Sequence, residues 1–197
     1  MGSSLPSVIS PIFKYLMYKQ FNSVLDIGVG ESGLWGFLLR DKLDGVMQGR
    51  KFRDTSTWTM KIIGIEIMPE YKTIVHQYCY DKILWMDVFD ALDNLGERAC
   101  DPKFDLIMMT AFIEHLDKER GYELLRRLKS FMLHGGLLVL ATPNGYMLCN
   151  ATENNPHDEH KCGWVLDDFK VMESQGWIIE ASEVTYDDRL VVILKRK

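Results

Sequence analysis

Val24-Leu25-Asp26-Ile27-Gly28-Val29-Gly30-Glu31-Ser32-Gly33 is the stretch that decides the fold. It reads as a short apolar strand, a glycine-rich turn and the opening of a helix. Leu34, Trp35, Leu38 and Leu39 then fall on one side at helical spacing. Glycine at such a turn lets the backbone come close to a ligand, because no Cβ stands in the way. The N–H groups at the helix start are then available to polar or anionic ligand groups. Taken alone, a Gly-x-Gly after a strand fits any tight turn. The rest of the chain has to decide.

Upstream, residues 7–20 carry Val8, Ile9, Ile12, Phe13, Leu16 and Met17 as a helical stripe. Downstream, a helix over 32–43 is followed by residues 44–60, which lose periodicity and read as an inserted loop. Apolar strands are predicted at 61–66, 83–86, 104–109 and 137–141. Helices fall between them, one opened by Pro69 and running to about 80, others over 89–96 and 118–133. A long polar segment at 143–164 leads to a helix over 165–175 and two last strands near 177–185 and 189–195. Alternating strands and helices imply right-handed βαβ units and a mostly parallel sheet. The turn Tyr186-Asp187-Asp188 is too short for a crossover, so the last two strands pair antiparallel. The expected architecture is a single α/β domain over 1–197, a three-layer sandwich on seven strands.

The chain has 197 residues, 47% of them apolar and 26% charged, which is ordinary for a globular protein. A formal charge of −5 argues against coating nucleic-acid phosphates, so no nucleic-acid partner is expected. The longest uncharged apolar run, Leu106 to Ile113, is too short to span a bilayer. The early apolar residues are interrupted by Pro6, Pro11 and Lys14, unlike a secretory signal. Four cysteines without a Cys-x-x-Cys pair fit reduced thiols and a cytoplasmic setting. Oligomeric state stays open.

In a sheet of this kind ligands bind beyond the carboxyl ends of the strands. The first strand ends in Asp26 and the glycine turn. The second ends in Glu66, suited to accept both hydroxyls of a ribose. The third ends in Asp87, suited to accept from an exocyclic amine, with Val88 and Phe89 supplying backbone and an apolar wall. The fourth ends in Thr110-Ala111-Phe112, then Glu114 and His115. One acid has a plain explanation in a chain that is a quarter charged. Acids closing two successive apolar strands downstream of the glycine turn are harder to set aside.

Val24 to Gly33, Glu66, Asp87, Phe104 to Leu116 and Leu133 to Gly145 together resemble the successive motifs of class I S-adenosylmethionine-dependent methyltransferases, of the small-molecule type. The likeness covers roughly 22–195. It implies a Rossmann-like fold, S-adenosylmethionine as cofactor and a small-molecule acceptor. By that resemblance Asp26, Gly28 and Gly30 line the methionine part of the cofactor, Glu66 holds the ribose and Asp87 the adenine amine. Gly33 stands one residue beyond the family's third glycine, where this chain has Ser32. Val88 and Thr110 complete the expected cofactor contacts.

The loop Asn155-Pro156-His157-Asp158-Glu159-His160-Lys161-Cys162-Gly163-Trp164 is similar to the family's active-site loop. Neutral imidazole accepts a proton near pH 7, which methylation of a hydroxyl requires. His160 is the expected base, with His157 and His115 the other candidates. Two solvent-exposed loop histidines are the plain alternative. Cys149, His157, His160 and Cys162 have no standard zinc spacing, so no metal is expected there. Two other functions fit parts of the pattern: a non-catalytic protein that binds S-adenosylmethionine, and a nicotinamide-dinucleotide-binding protein. The latter normally has its acid about 20 residues past the glycines. Here Glu66 follows Gly28 by 66 − 28 = 38 residues.

Overall fold

The computed structural model describes residues 6–44, 52–96 and 102–197. Its seven strands are β1 (Ser23–Ile27), β2 (Lys61–Glu66), β3 (Lys82–Trp85), β4 (Phe104–Thr110), β5 (Met132–Pro143), β6 (Trp177–Val184) and β7 (Arg189–Arg196). They form one sheet in the order β3-β2-β1-β4-β5-β7-β6. β1 to β5 run parallel, and β7 pairs antiparallel with both β5 and β6. The chain starts at β1, builds outward to β3, then returns across to β4. The order therefore reverses between β1 and β4, and a crevice opens there beyond the strand ends.

Both faces of the sheet are covered, which is why the central strands are apolar throughout rather than alternating. In β4, Leu106 and Met108 face one layer while Ile107 and Met109 face the other, all four fully buried. The first layer holds α1 (Pro6–Leu16), α2 (Leu34–Lys42) and α3 (Ile74–Cys79). It packs Val8, Ile12, Leu16, Trp35 and Leu39 against the sheet. The second holds α4 (Val88–Gly96), α5 (Lys118–Ser130) and α6 (Leu166–Lys170), with Leu92, Leu125, Leu128, Trp164 and Phe169 turned inward.

Three boundaries differ from the periodicity reading, each for a local reason. The stretch opened by Pro69 forms only a 3₁₀ turn, Pro69–Tyr71, and α3 starts afresh at Ile74. Thr73 marks that restart, its N–H donating to His76 Nδ1 at 2.9 Å. The helix expected to 133 stops at Ser130, because the Phe131 carbonyl accepts the Phe104 N–H and Met132 already pairs with Phe104. β5 then carries a bulge, with Phe104 opposite Met132 and Leu106 opposite Leu137, in which Gly135 takes φ 76°. The last expected helix keeps α-geometry only to Lys170 and continues to Gln175 as 3₁₀.

Part of the predicted insertion, residues 45–51, lies outside the described residues. Where the chain returns, Asp44 Oδ1 accepts the N–H groups of Thr59 and Met60 at 3.0 and 3.1 Å, tying the start of β2 to the end of α2. Buried Arg40 joins the same corner through Asp44, Asp81 and the Cys79 carbonyl. No helix among the described residues is long and apolar enough to cross a membrane.

Candidate functional site

A cleft of about 230 Å³ lies at the reversal point of the strand order. Gly28 and Gly30 from the turn after β1 line it, as do Glu66 at the end of β2 and Asp87 and Val88 after β3. Ala111, Phe112 and His115 after β4 close its other side. The chain from Asn155 to Glu159 lies across it, with Lys161. Every one of these residues lies at or just beyond the carboxyl end of a parallel strand or belongs to the loop facing those ends.

The glycine turn needs its glycines. Gly28 and Gly30 sit at φ 73° and 67°, the left-handed region that a Cβ makes costly. A Cβ on Gly28 would also lie 2.7 Å from the Phe112 ring. A bulky substitution there disturbs the turn itself, before any ligand is considered.

Glu66 is buried and braces this turn. Its Oε2 accepts the Gly30 N–H at 2.9 Å and its Oε1 accepts the Met68 N–H at 3.0 Å. A carboxylate has about four acceptor sites, so two remain for ligand hydroxyls. Asp87 Oδ1 accepts the Phe89 N–H at 2.8 Å at the start of α4, and Oδ2 has no partner among the described residues. Tyr71, on the 3₁₀ turn after β2, adds a phenol whose pKa is raised by burial and by Glu66.

Three expected cofactor residues lie behind the wall instead of on it. Asp26 is 1% exposed, and its Oδ2 accepts the Tyr80 hydroxyl at 2.5 Å. Burial pushes its carboxyl up to about 7, against the opposing Tyr80 hydrogen bond. Its Oδ1 is buried with no partner among the described residues. Gly33 opens α2 at φ 59°, against Val75 and His76. The Thr110 hydroxyl accepts the Trp35 indole N–H at 2.6 Å. Its side chain therefore serves the contact between β4 and α2.

Two residues that the sequence reading passed over hold the turn from behind. His76 Nδ1 accepts the Thr73 N–H, so its proton sits on Nε2, which donates to the Gly30 carbonyl at 2.9 Å. The Tyr80 hydroxyl, besides donating to Asp26, accepts the Gly36 N–H at 3.0 Å. Ala111, named in sequence only as part of the end of β4, adopts φ 51° on the cleft wall, a conformation uncommon for a residue with a Cβ. It has no signature in sequence, whereas a histidine and a tyrosine at helical spacing behind a strand end are at least a hint.

The three histidines are placed differently from one another. His115 is half-buried on the wall, and His157 is exposed at the cleft. His160 is not a wall residue. It packs edge-on against His115, ring centroids 5.0 Å apart, with its Nδ1 bonded to the Met147 carbonyl at 2.7 Å. Burial lowers the His115 pKa, against a raising hydrogen bond to the Glu159 carbonyl. Glu114 beside it is 2% exposed, and burial pushes its carboxyl up to about 7. The set Cys149, His157, His160 and Cys162 is not assembled. Cys149 Sγ faces Asp158, and the Cys162 thiol donates to the Leu116 carbonyl.

The segment that carries His157 and His160 is pinned at both ends. Gly145 N–H donates to the Trp164 carbonyl at 2.7 Å, closing its neck. Lys161 N–H donates to the Glu114 carbonyl at 2.9 Å, fixing it beside the end of β4. Trp164 is fully buried between Phe169 and Tyr122, and its indole N–H donates to the Ile113 carbonyl.

No protein-family profile matches the chain, and no curated protein matches it either. Solved structures do. The chain is similar to LaPhzM at 17% identity and TM-score 0.57, over 90% of this chain and 50% of that one. It is similar to a SAM-dependent methyltransferase from Archaeoglobus fulgidus at 20% identity and TM-score 0.61, over 96% and 93%. It is similar to the 1,6-didemethyltoxoflavin-N1-methyltransferase of Burkholderia thailandensis, solved with its small-molecule namesake and S-adenosylhomocysteine, at 11% identity and TM-score 0.63, over 95% and 76%. The chain thus spans about half the length of LaPhzM and of the pyocyanin biosynthetic protein PhzM. The likeness is one of fold: a seven-stranded Rossmann-like sandwich shared with methyltransferases.

Proposed function

We propose that the chain binds S-adenosylmethionine in this cleft and transfers its methyl group to a small-molecule acceptor, at oxygen. The observation that carries the reading is the order of groups along the sheet. The glycine turn, Glu66 and Asp87 stand at or just past the ends of β1, β2 and β3, which are neighbours, and all three line one cleft. Read outward, that suits an amino-acid moiety, a ribose and a purine in succession. The acids fit the cofactor by chemistry as well: each keeps unused acceptor capacity toward a hydroxyl-rich, amine-bearing ligand. The methyltransferases that share the fold support the same cofactor, two of them solved with S-adenosylhomocysteine.

When bound, S-adenosylmethionine supplies a methyl group on a positively charged sulfur, open to direct displacement. The chain's part is then chiefly positioning. Glu66 accepts from the ribose hydroxyls while bracing the turn, and Asp87 accepts from the adenine amine. The acceptor lies on the β4 side, where His115, His157 and Lys161 face the cleft. The proton of an acceptor hydroxyl is taken at this end. His115 is held neutral by burial and backed by the ring of His160. The net charge of −5 favours a small acceptor over a nucleic acid. The toxoflavin enzyme in the same fold is named for a small heterocycle.

Calorimetry with S-adenosylhomocysteine and, separately, NAD tests the cofactor. Tight S-adenosylhomocysteine binding with none for NAD is expected, and a preference for NAD overturns the reading. Transfer of a labelled methyl group to a panel of small hydroxylated acceptors tests the reaction. Binding with no turnover across the panel would favour a non-catalytic cofactor-binding protein.

A further inference from the structure

At the acceptor end of the cleft the fold brings together one carboxylate and two imidazoles: Glu114, His115 and His160. Their ligand-capable atoms all lie within 4.8 Å of one another, the one such group of histidines, cysteines and acids among the described residues. Glu114 and His115 come from the 3₁₀ turn Ile113–His115 after β4, and His160 comes from the pinned loop. They are 45 residues apart in sequence (160 − 115), so only the tertiary fold creates the group.

The hydrogen bonding around the group is that of a ligand set. His115 Nδ1 bonds the Glu159 carbonyl at 3.0 Å, and His160 Nδ1 bonds the Met147 carbonyl at 2.7 Å. A carbonyl oxygen only accepts, so each ring carries its proton on Nδ1 and keeps a lone pair on Nε2. Metal-binding histidines are oriented in this way, with the second ring N–H given to a carbonyl or carboxylate. Glu114 Oε2 accepts the Thr142 hydroxyl at 3.0 Å, which orients the carboxylate. No hydrogen bond joins the three side chains to one another. The three side chains therefore converge, each oriented by a partner outside the group: Thr142 for Glu114, the Glu159 carbonyl for His115 and the Met147 carbonyl for His160.

We propose that Glu114, His115 and His160 bind a divalent transition-metal cation at the acceptor end of the cleft. Two imidazole nitrogens and one carboxylate oxygen suit Zn²⁺, Co²⁺ or Mn²⁺ over Mg²⁺ or Ca²⁺, which prefer all-oxygen sets. Three protein ligands leave coordination positions open, as in catalytic sites. His115 is on the cleft wall, which sets the group beside the acceptor end of the cleft. The cation's role, unlike its binding, rests on the methyl-transfer reading. A hydroxyl held by the cation loses its proton to water more readily, leaving an oxygen that takes the methyl group while the C–S electron pair stays with sulfur. His115 and His160 are then ligands, and the cation does the work assigned above to a base.

The test uses untagged full-length protein stripped with chelator and titrated with CoCl₂, followed by visible absorption and calorimetry. One equivalent of Co²⁺ should bind, be displaced by ZnCl₂, and not compete with millimolar MgCl₂. His160→Ala and, at the buried position, the isosteric Glu114→Gln should each weaken Co²⁺ binding at least tenfold. Both should keep S-adenosylhomocysteine affinity within twofold and their circular dichroism unchanged. Failure of the wild type to bind Co²⁺, or equal binding by His160→Ala, overturns the cation site. Failure of S-adenosylhomocysteine to bind overturns the methyl-transfer reading and leaves the cation result standing.

Discussion

Both oxygens of Glu66 are engaged before any ligand arrives, one by Gly30 N–H and the other by Met68 N–H. Glu66→Ala would orphan two backbone donors as well as remove a ligand contact, so Glu66→Gln is the sharper probe. The amide keeps one acceptor and loses the charge. A hydrogen bond to a charged group is worth about 1.5–3 kcal/mol, so S-adenosylhomocysteine affinity should fall at least tenfold by calorimetry. Unchanged affinity would remove Glu66 from the site. Asp26 yields a second prediction. Its carboxyl is raised to about 7 in the fold, so the folded state holds a proton that the unfolded chain has released above about pH 4. Stability from this group is therefore greatest in acid and is lost as pH rises through about 7. Asp26→Asn keeps an acceptor for the Tyr80 hydroxyl and does not titrate. Its urea midpoint should gain on the wild type between pH 4 and 7 and level off above, and a constant difference would refute the shift. Glu66 and Asp87 were legible in sequence because an acid ending an apolar strand stands out. The turned-away Thr110, the bracing of Gly30 by His76 and the left-handed Ala111 were not, because each depends on partners 30 or more residues away or on a backbone angle that no side chain announces.

At the scale of elements, α5 lies against Trp164 with Gly121 at the contact. Gly to Ala within a helix ordinarily stabilises by about 1 kcal/mol. Here the added Cβ would sit 2.4 Å from the Trp164 ring, so the sign should reverse. Gly121→Ala is expected to lower the urea midpoint and shift the tryptophan emission. A gain in stability would show that the loop neck yields easily. Strand positions were readable because all seven are dense in apolar residues, and the hairpin because its connection is too short for anything else. Helix ends were less so. The stop at Ser130 and the restart at Ile74 are set by pairing with Phe104 and by the Thr73–His76 hydrogen bond, which periodicity does not register.

Across the whole molecule, the cleft draws on four parallel strands at once, so a ligand there binds the folded chain alone. Ligand at a hundred times its Kd adds about 2.7 kcal/mol. For a chain of this length that raises Tm by roughly 5–10 °C. S-adenosylhomocysteine should produce such a shift in thermal melts of the wild type. Glu66→Gln should lose about half of it or more at the same concentration, and no shift at saturating ligand would contradict the site. The neck between Gly145 and Trp164 has a different kind of consequence. Between that neck and the Lys161–Glu114 hydrogen bond, the chain can change its length without altering the spacing of the strands beneath it. Gly163 keeps that crossing tight, since a Cβ there would lie 2.3 Å from the Tyr146 amide nitrogen. Residues 146–154 are thus separable from the half of the cleft built by β1, β2 and β3: a change of length there leaves those strand ends where they are.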